Sequence, residues 1–161
     1  MKIKFKKLHP DAVIPAQSTE YAGGWDVTCT QVVFVDDHVS NKVICRLGFA
    51  MQPEKGYRIV IVPRSNLTKH NWVINNSPGT GDADYDKEYE VRFTAIPTGI
   101  VTSTFDDGKS KSRLTYDEFP YKKGERIAQM YLEKVEDIEW SEEEFEDYKS
   151  TRIGGFGSTG L

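Results

Sequence analysis

Apolar and charged residues alternate from Ile3 to Lys7, and this period of two predicts a strand with one face against a core. His9-Pro10 and Pro15 interrupt the pattern as a loop. Beyond the flexible Ala22-Gly23-Gly24, residues 25–35 are rich in β-branched and aromatic types, which predicts a strand or a hairpin arm. Residues 42–51, 57–62, 89–96 and 126–132 read as further strands, each bounded by Gly, Pro or Asp. Helical periodicity is nearly absent, apart from one turn after Pro63. Many short strands with turn residues between them predict an all-β fold: a sandwich, barrel or jelly roll. Residues 98–123 read as an excursion from this body, since 106–112 is polar and turn-rich and 114–121 carries aromatics. We expect a projecting hairpin there.

Composition sharpens the picture in three ways. A chain of 161 residues suffices for one domain with a real core. Cys29 and Cys45 lack CxxC spacing, so neither a disulfide framework nor a zinc site is indicated and a reducing cytoplasm is expected. The first residues alternate in charge without an apolar core region, and no apolar run is long enough to span a bilayer, so neither secretion nor membrane insertion is expected.

The net charge of −4 is unevenly spread. Residues 133–147 hold nine acids against one lysine, a local −8 that leaves the rest of the chain at about +4. That bias suits a small polyanion such as a nucleoside triphosphate and falls far short of a duplex-DNA binder. After Trp140, self-repulsion favours an extended linker or short surface helix, and the glycine-rich 151–161 should be mobile until something orders it. We therefore divide the chain into a body at 1–140, with its excursion at about 98–123, and a linker and arm at 141–161.

Four stretches could carry chemistry. Residues 75–85 combine Asn76, Asp82 and Tyr85 around Gly79-Thr80-Gly81, read as a tight turn that lets backbone approach a flat ligand; the plain alternative is a loop between strands. Pro63-Arg64-Ser65-Asn66 follows an apolar strand, offering a guanidinium fork and neutral donors to phosphate, or else an N-capping serine beside a solvated arginine. Gln129 lies among Ile127, Ala128 and Met130, where its amide needs a ligand or a neighbouring strand as partner. Residues 155–160 satisfy GxGxxG, but a dinucleotide fingerprint needs a preceding strand and a following helix, and with one residue after it a dinucleotide fold is not expected. What remains is an arm whose N–H groups could wrap phosphates, with Phe156 available to stack on a base. His9, His38 and His70 show no metal-ligand spacing.

In this order the segments resemble the five motifs of the trimeric dUTP diphosphatases, or dUTPases. Ala22-Gly23-Gly24-Trp25-Asp26-Val27 is similar to the first, Pro63-Arg64-Ser65-Asn66-Leu67 to the second, 76–85 to the third, 124–130 to the fourth and 154–160 to the fifth. The resemblance implies a jelly-roll-like β-barrel with a mobile C-terminal arm, a homotrimer with shared active sites, and hydrolysis of dUTP to dUMP and pyrophosphate with Mg2+ held on the triphosphate. It implies that Asp82 activates the attacking water, that Asn76 and the backbone at Gly79, Thr80 and Gly81 read uracil, and that Tyr85 packs under the deoxyribose. It gives phosphate contacts to Arg64, Ser65, Asn66 through its backbone, and Gln129. Phe156 would cover the uracil, and Gly157, Ser158 and Thr159 would meet the phosphates, with Arg152 as the basic candidate beside them. Asp26 is expected in the metal's outer shell, with no direct protein ligand.

The chain departs from the family pattern at Asp86-Lys87-Glu88, where Arg-Gly-Glu is usual, and at Thr151-Arg152-Ile153. The 98–123 excursion is similar to inserts in some phage relatives, which implies a protein-partner role for it. A regulatory protein on the same fold is the alternative of a different class. A relative of the dCTP deaminases is a third reading, less suited to an intact glycine arm.

Overall fold

The computed structural model describes residues 2–35 and 41–143. Among the described residues the chain forms twelve strands and one short 3-10 helix. The strands are β1 (Lys4–Lys7), β2 (Trp25–Thr28), β3 (Gln31–Phe34), β4 (Lys42–Arg46), β5 (Phe49–Gln52), β6 (Tyr57–Pro63), β7 (Trp72–Ile74), β8 (Gly79–Gly81), β9 (Glu90–Ala95), β10 (Gly99–Thr104), β11 (Ser110–Thr115) and β12 (Arg126–Lys134). Two four-stranded sheets, β2-β12-β6-β8 and β3-β4-β9-β7, carry the architecture, and every pairing is antiparallel. β1 and β5 form a separate antiparallel pair.

The expected all-β architecture is therefore present, as a jelly-roll-like barrel. Phe49, Phe93, Leu47, Ile59, Ile127 and Met130 are the largest fully buried side chains of its core. β6, the apolar run read from sequence, pairs with β12 on one side and β8 on the other. Ile59 and Ile61 face the core, while Val60 lies buried on the opposite face.

Two expected strands are each divided. Residues 25–35 break at Cys29-Thr30, where Thr30 N donates to Arg46 O at 2.8 Å and passes the chain from one sheet to the other. Residues 42–51 break at Gly48, whose φ of 73° only glycine adopts without strain. The excursion contains the expected hairpin: β10 and β11 pair only with each other, from Gly99–Thr115 to Thr104–Ser110. Its return, by contrast, packs on the body. Phe119 stacks edge-on against Trp72 and Phe93 at centroid distances of 5.0 and 5.1 Å, and Trp72 Nε1 donates to Glu118 O at 3.1 Å.

Candidate active site

Asp26 is the hub of the first region. Its side chain is 4% exposed, and Arg64 Nε donates to Oδ1 at 3.0 Å, Arg126 Nη1 to Oδ2 at 2.9 Å and Gln129 Nε2 to Oδ1 at 3.2 Å. Three donors from two separate segments thus converge on one buried carboxylate. A charge so enclosed is tolerable because both oxygens have cationic or amide donors.

Strand geometry explains how Arg126 and Gln129 both reach it. Residues three apart on a regular strand point to opposite faces. The β12–β2 pairing, however, shifts register between Arg126 and Ala128, and such a bulge reverses the alternation. Arg126 and Gln129 therefore meet Asp26 on the same side. Arg64 extends from the end of β6, with Nη1 also donating to Arg126 O at 3.0 Å. A guanidinium carries five N–H donors, so both arginines keep donors for an anion.

These arginines line a cleft of about 360 Å3 with Asn66, His70, Tyr121 and Gly124. Tyr121 donates its hydroxyl to Asn66 Oδ1 at 3.1 Å, fixing the side chain at the start of the 3-10 helix Ser65–Lys69. Ser65 is exposed there, and its carbonyl accepts from Thr68 Oγ1. The helical turn expected after Pro63 is this element.

The second region is residues 75–85. Gly79-Thr80-Gly81 forms the edge strand β8, where a tight turn was expected, with Gly79 opposite Ile61 and Gly81 opposite Ile59. Space is what calls for glycine at 79, since a Cβ there would lie 2.6 Å from Asn76 O. Asn76 itself is engaged by β9: Arg92 N donates to its Oδ1 at 2.9 Å, and its Nδ2 donates to Glu90 O at 3.2 Å. The amide expected to face a ligand thus ties the loop to the neighbouring strand.

Asp82 is exposed at the end of β8, and its carboxylate forms no hydrogen bond or ion pair among the described residues. Its carbonyl accepts from Tyr85 N at 3.1 Å, closing the turn that presents Tyr85. The Tyr85 hydroxyl donates to Glu88 O at 3.2 Å, and its ring stands edge-on to Tyr89 at 5.2 Å. Burial, then Tyr85 and Asp82, push the Tyr89 phenol up to about 12.

The two regions do not meet within one chain. Gly81 lies opposite Ile59, five residues before Arg64 on the same strand path, a separation of about 16 Å at roughly 3.3 Å per residue. Asp82 lies one residue further away. No residue of 75–85 lines the arginine cleft, whereas Ala83 and Asp84 line a different one with Lys2, Lys4 and Lys55.

Arg126 is the functional candidate that sequence reading passed over. The 124–130 segment was recognisable, but the bulge that turns Arg126 toward Asp26 has no signature in it. Arg152, Phe156, Gly157, Ser158 and Thr159 lie outside the described residues. Among the described residues no group of three His, Cys, Asp or Glu side chains could hold a metal ion. The Asp26 oxygens accept from Arg64, Arg126 and Gln129 in this arrangement, which leaves acceptor capacity on the carboxylate.

Comparison with known proteins identifies the family. The dUTPase family model matches residues 11–160. A deoxyuridine 5'-triphosphate nucleotidohydrolase of Helicobacter pylori is 35% identical over 162 residues, covering 100% of this chain and 98% of the relative. One from Wolinella succinogenes is 34% identical over 161 residues, covering 99% and 95%. Among solved structures, the Staphylococcus bacteriophage 80alpha dUTPase with dUpNHpp superposes with a TM-score of 0.73 at 23% identity, covering 99% of both chains. The chain belongs to the dUTPase family.

Proposed function

We propose that the chain hydrolyses dUTP to dUMP and pyrophosphate, with Asp82 as general base. The observation that carries this reading is the contrast between its two central carboxylates: Asp26 is buried and fully paired, and Asp82 is exposed with no partner among the described residues. Asp82 accepts a proton from water, the water oxygen bonds to the α-phosphorus, and the bond from that phosphorus to the bridging oxygen breaks to release pyrophosphate. A positioned base supplies roughly 10²–10⁴-fold. The remainder comes from positioning and from donors aimed at the phosphates. Arg64, Arg126 and Gln129 are those donors, with Ser65 and the Asn66 backbone beside them. Backbone at Gly79, Thr80 and Gly81 reads the uracil edge, with Asn76 holding that backbone to β9, and Tyr85 excludes a 2'-hydroxyl.

Because Asp82 and the phosphate donors lie at opposite ends of β6, a complete site takes its two parts from different copies. The assembly is a homotrimer, residues 1–140 form its barrel, and the 141–161 arm of Arg152, Phe156, Gly157, Ser158 and Thr159 closes on bound nucleotide. Mg2+ arrives as the companion of the triphosphate, a role that needs no protein ligand. A cytoplasmic location suits two free, buried cysteines and a chain whose described helices include none able to cross a membrane. The test is pyrophosphate release from dUTP with Mg2+, with UTP, dCTP and dTTP as controls. Release from dUTP alone is expected; an intact assembly that releases none overturns the reading.

A further inference from the structure

Tyr89 immediately precedes β9, outside every family motif recognised in the sequence, yet it lies directly beneath the loop that carries Asp82 and Tyr85. Its backbone is fixed on both sides, with Tyr89 N donating to Phe49 O at 2.9 Å and Tyr89 O accepting from Leu47 N at 3.1 Å. Its ring continues an aromatic file: Phe5 to Phe49 at 5.0 Å, Phe49 to Tyr89 at 6.2 Å, and Tyr89 to Tyr85 at 5.2 Å. The file runs from the β1–β5 pair to the loop.

Two observations set Tyr89 apart from an ordinary core aromatic. Its hydroxyl is buried and has no hydrogen-bond partner, the only such side-chain atom among the described residues. Buried hydroxyls usually find partners, so this orientation is held by shape alone. The second concerns Gly81. A Cβ built there would lie 2.0 Å from the Tyr89 hydroxyl, 2.5 Å from Cε1 and 2.6 Å from Cζ. Gly81 has no positive φ that would call for glycine. The end of the Tyr89 side chain occupies the space of the side chain that residue 81 lacks.

We infer that Tyr89 is a positioning residue for dUTP selection: its phenol supports Gly81-Asp82 from the core side, and its perpendicular contact with the Tyr85 ring holds that ring where the deoxyribose must lie. This deepens the proposed function and rests on it. Glu88 assists from the other end of the loop, its Oε1 accepting from Gly48 N at 2.9 Å. With Gly81 held by β6 and Glu88 held by Gly48, the segment between them has fixed ends, and Tyr89 sets its height.

Tyr89→Val and the double variant Gly81→Val/Tyr89→Val separate the two contributions. Tyr89→Val empties the space below Gly81 and removes the edge contact. It should lower kcat/KM for dUTP at least about tenfold and lower the dUTP-to-UTP preference by about tenfold. The double variant refills the volume from the strand side. Tm should recover toward the parent, while the preference over UTP stays reduced because nothing replaces the ring under Tyr85. A purely structural Tyr89 would lower Tm and leave the dUTP-to-UTP ratio unchanged, which overturns the inference. A double variant no better than Tyr89→Val, or one that does not fold, overturns the shared-volume argument. If Tyr89→Val alone fails to fold, the double variant supplies the same preference measurement. Failure of the parent protein to hydrolyse dUTP would instead remove the proposed function, and the Tm coupling between positions 81 and 89 would still be readable.

Discussion

Asp26 and Asp82 are the same side chain in opposite settings. Around Asp26, three donors from β6's end and β12 enclose a carboxylate that is 4% exposed. Around Asp82 the polar groups of the loop are spent on holding the loop itself, Asn76 on β9 and Tyr85 on Glu88, and the carboxylate faces solvent. A carboxylate already enclosed by two guanidinium groups is an orienting anchor for them. A carboxylate left open can take a proton from water once substrate arrives. In the proposed function, one region organises charge for the phosphates and the other supplies the base.

The contrast breaks most sharply at Asp82. Asp82→Asn should leave Tm unchanged and reduce kcat by about 10³-fold, as read by pyrophosphate release; an active Asp82→Asn enzyme would remove the base assignment. It would also decide between catalysis and a regulatory role, since a regulatory protein would keep its biological effect in that variant. Asp26→Asn should behave differently, lowering the unfolding free energy by about 3 kcal/mol because two guanidinium groups lose their counter-charge. Denaturant melts at neutral pH check this, and KM should rise with little selective loss in kcat. An Asp26→Asn protein of full stability would show that the hub is not held by charge.

Asn76→Ala gives a smaller effect. It removes two hydrogen bonds to the β9 backbone and should cost about 1–2 kcal/mol, with exchange protection lost at Arg92 N. If the amide instead served only the ligand, stability would be unaffected and KM alone would rise.

The parts of this arrangement that could be read from the sequence are those with long, regular signals. β6 carries the apolar run of residues 59–62 and was expected almost to its ends, and the polar turn at 106–112 located the β10–β11 hairpin. β7 and β8 are three residues each, too short for periodicity, and β8 is built of Gly-Thr-Gly, which reads as a turn. Its glycines are dictated by tight contacts, of Gly79 with Asn76 O and of Gly81 with the Tyr89 ring, that no turn propensity encodes. The candidate site followed the same division. Arg64 and Gln129 stood out from apolar surroundings, but their shared partner Asp26 and the bulge that adds Arg126 depend on cross-strand register. The separation of Asp82 from these donors is likewise a matter of register along β6, invisible before β8 is placed.

That separation is the central claim, and subunit complementation tests it most directly. Asp82→Asn and Arg126→Gln proteins, each assayed alone, should be nearly inactive. After unfolding and co-refolding, mixed assemblies contain some sites with an intact Asp82 from one copy and an intact Arg126 from another. Recovery of dUTP hydrolysis to a substantial fraction of the parent rate is the predicted result. Mixed assemblies that form but stay inactive would place both regions of each site in a single chain and contradict the account.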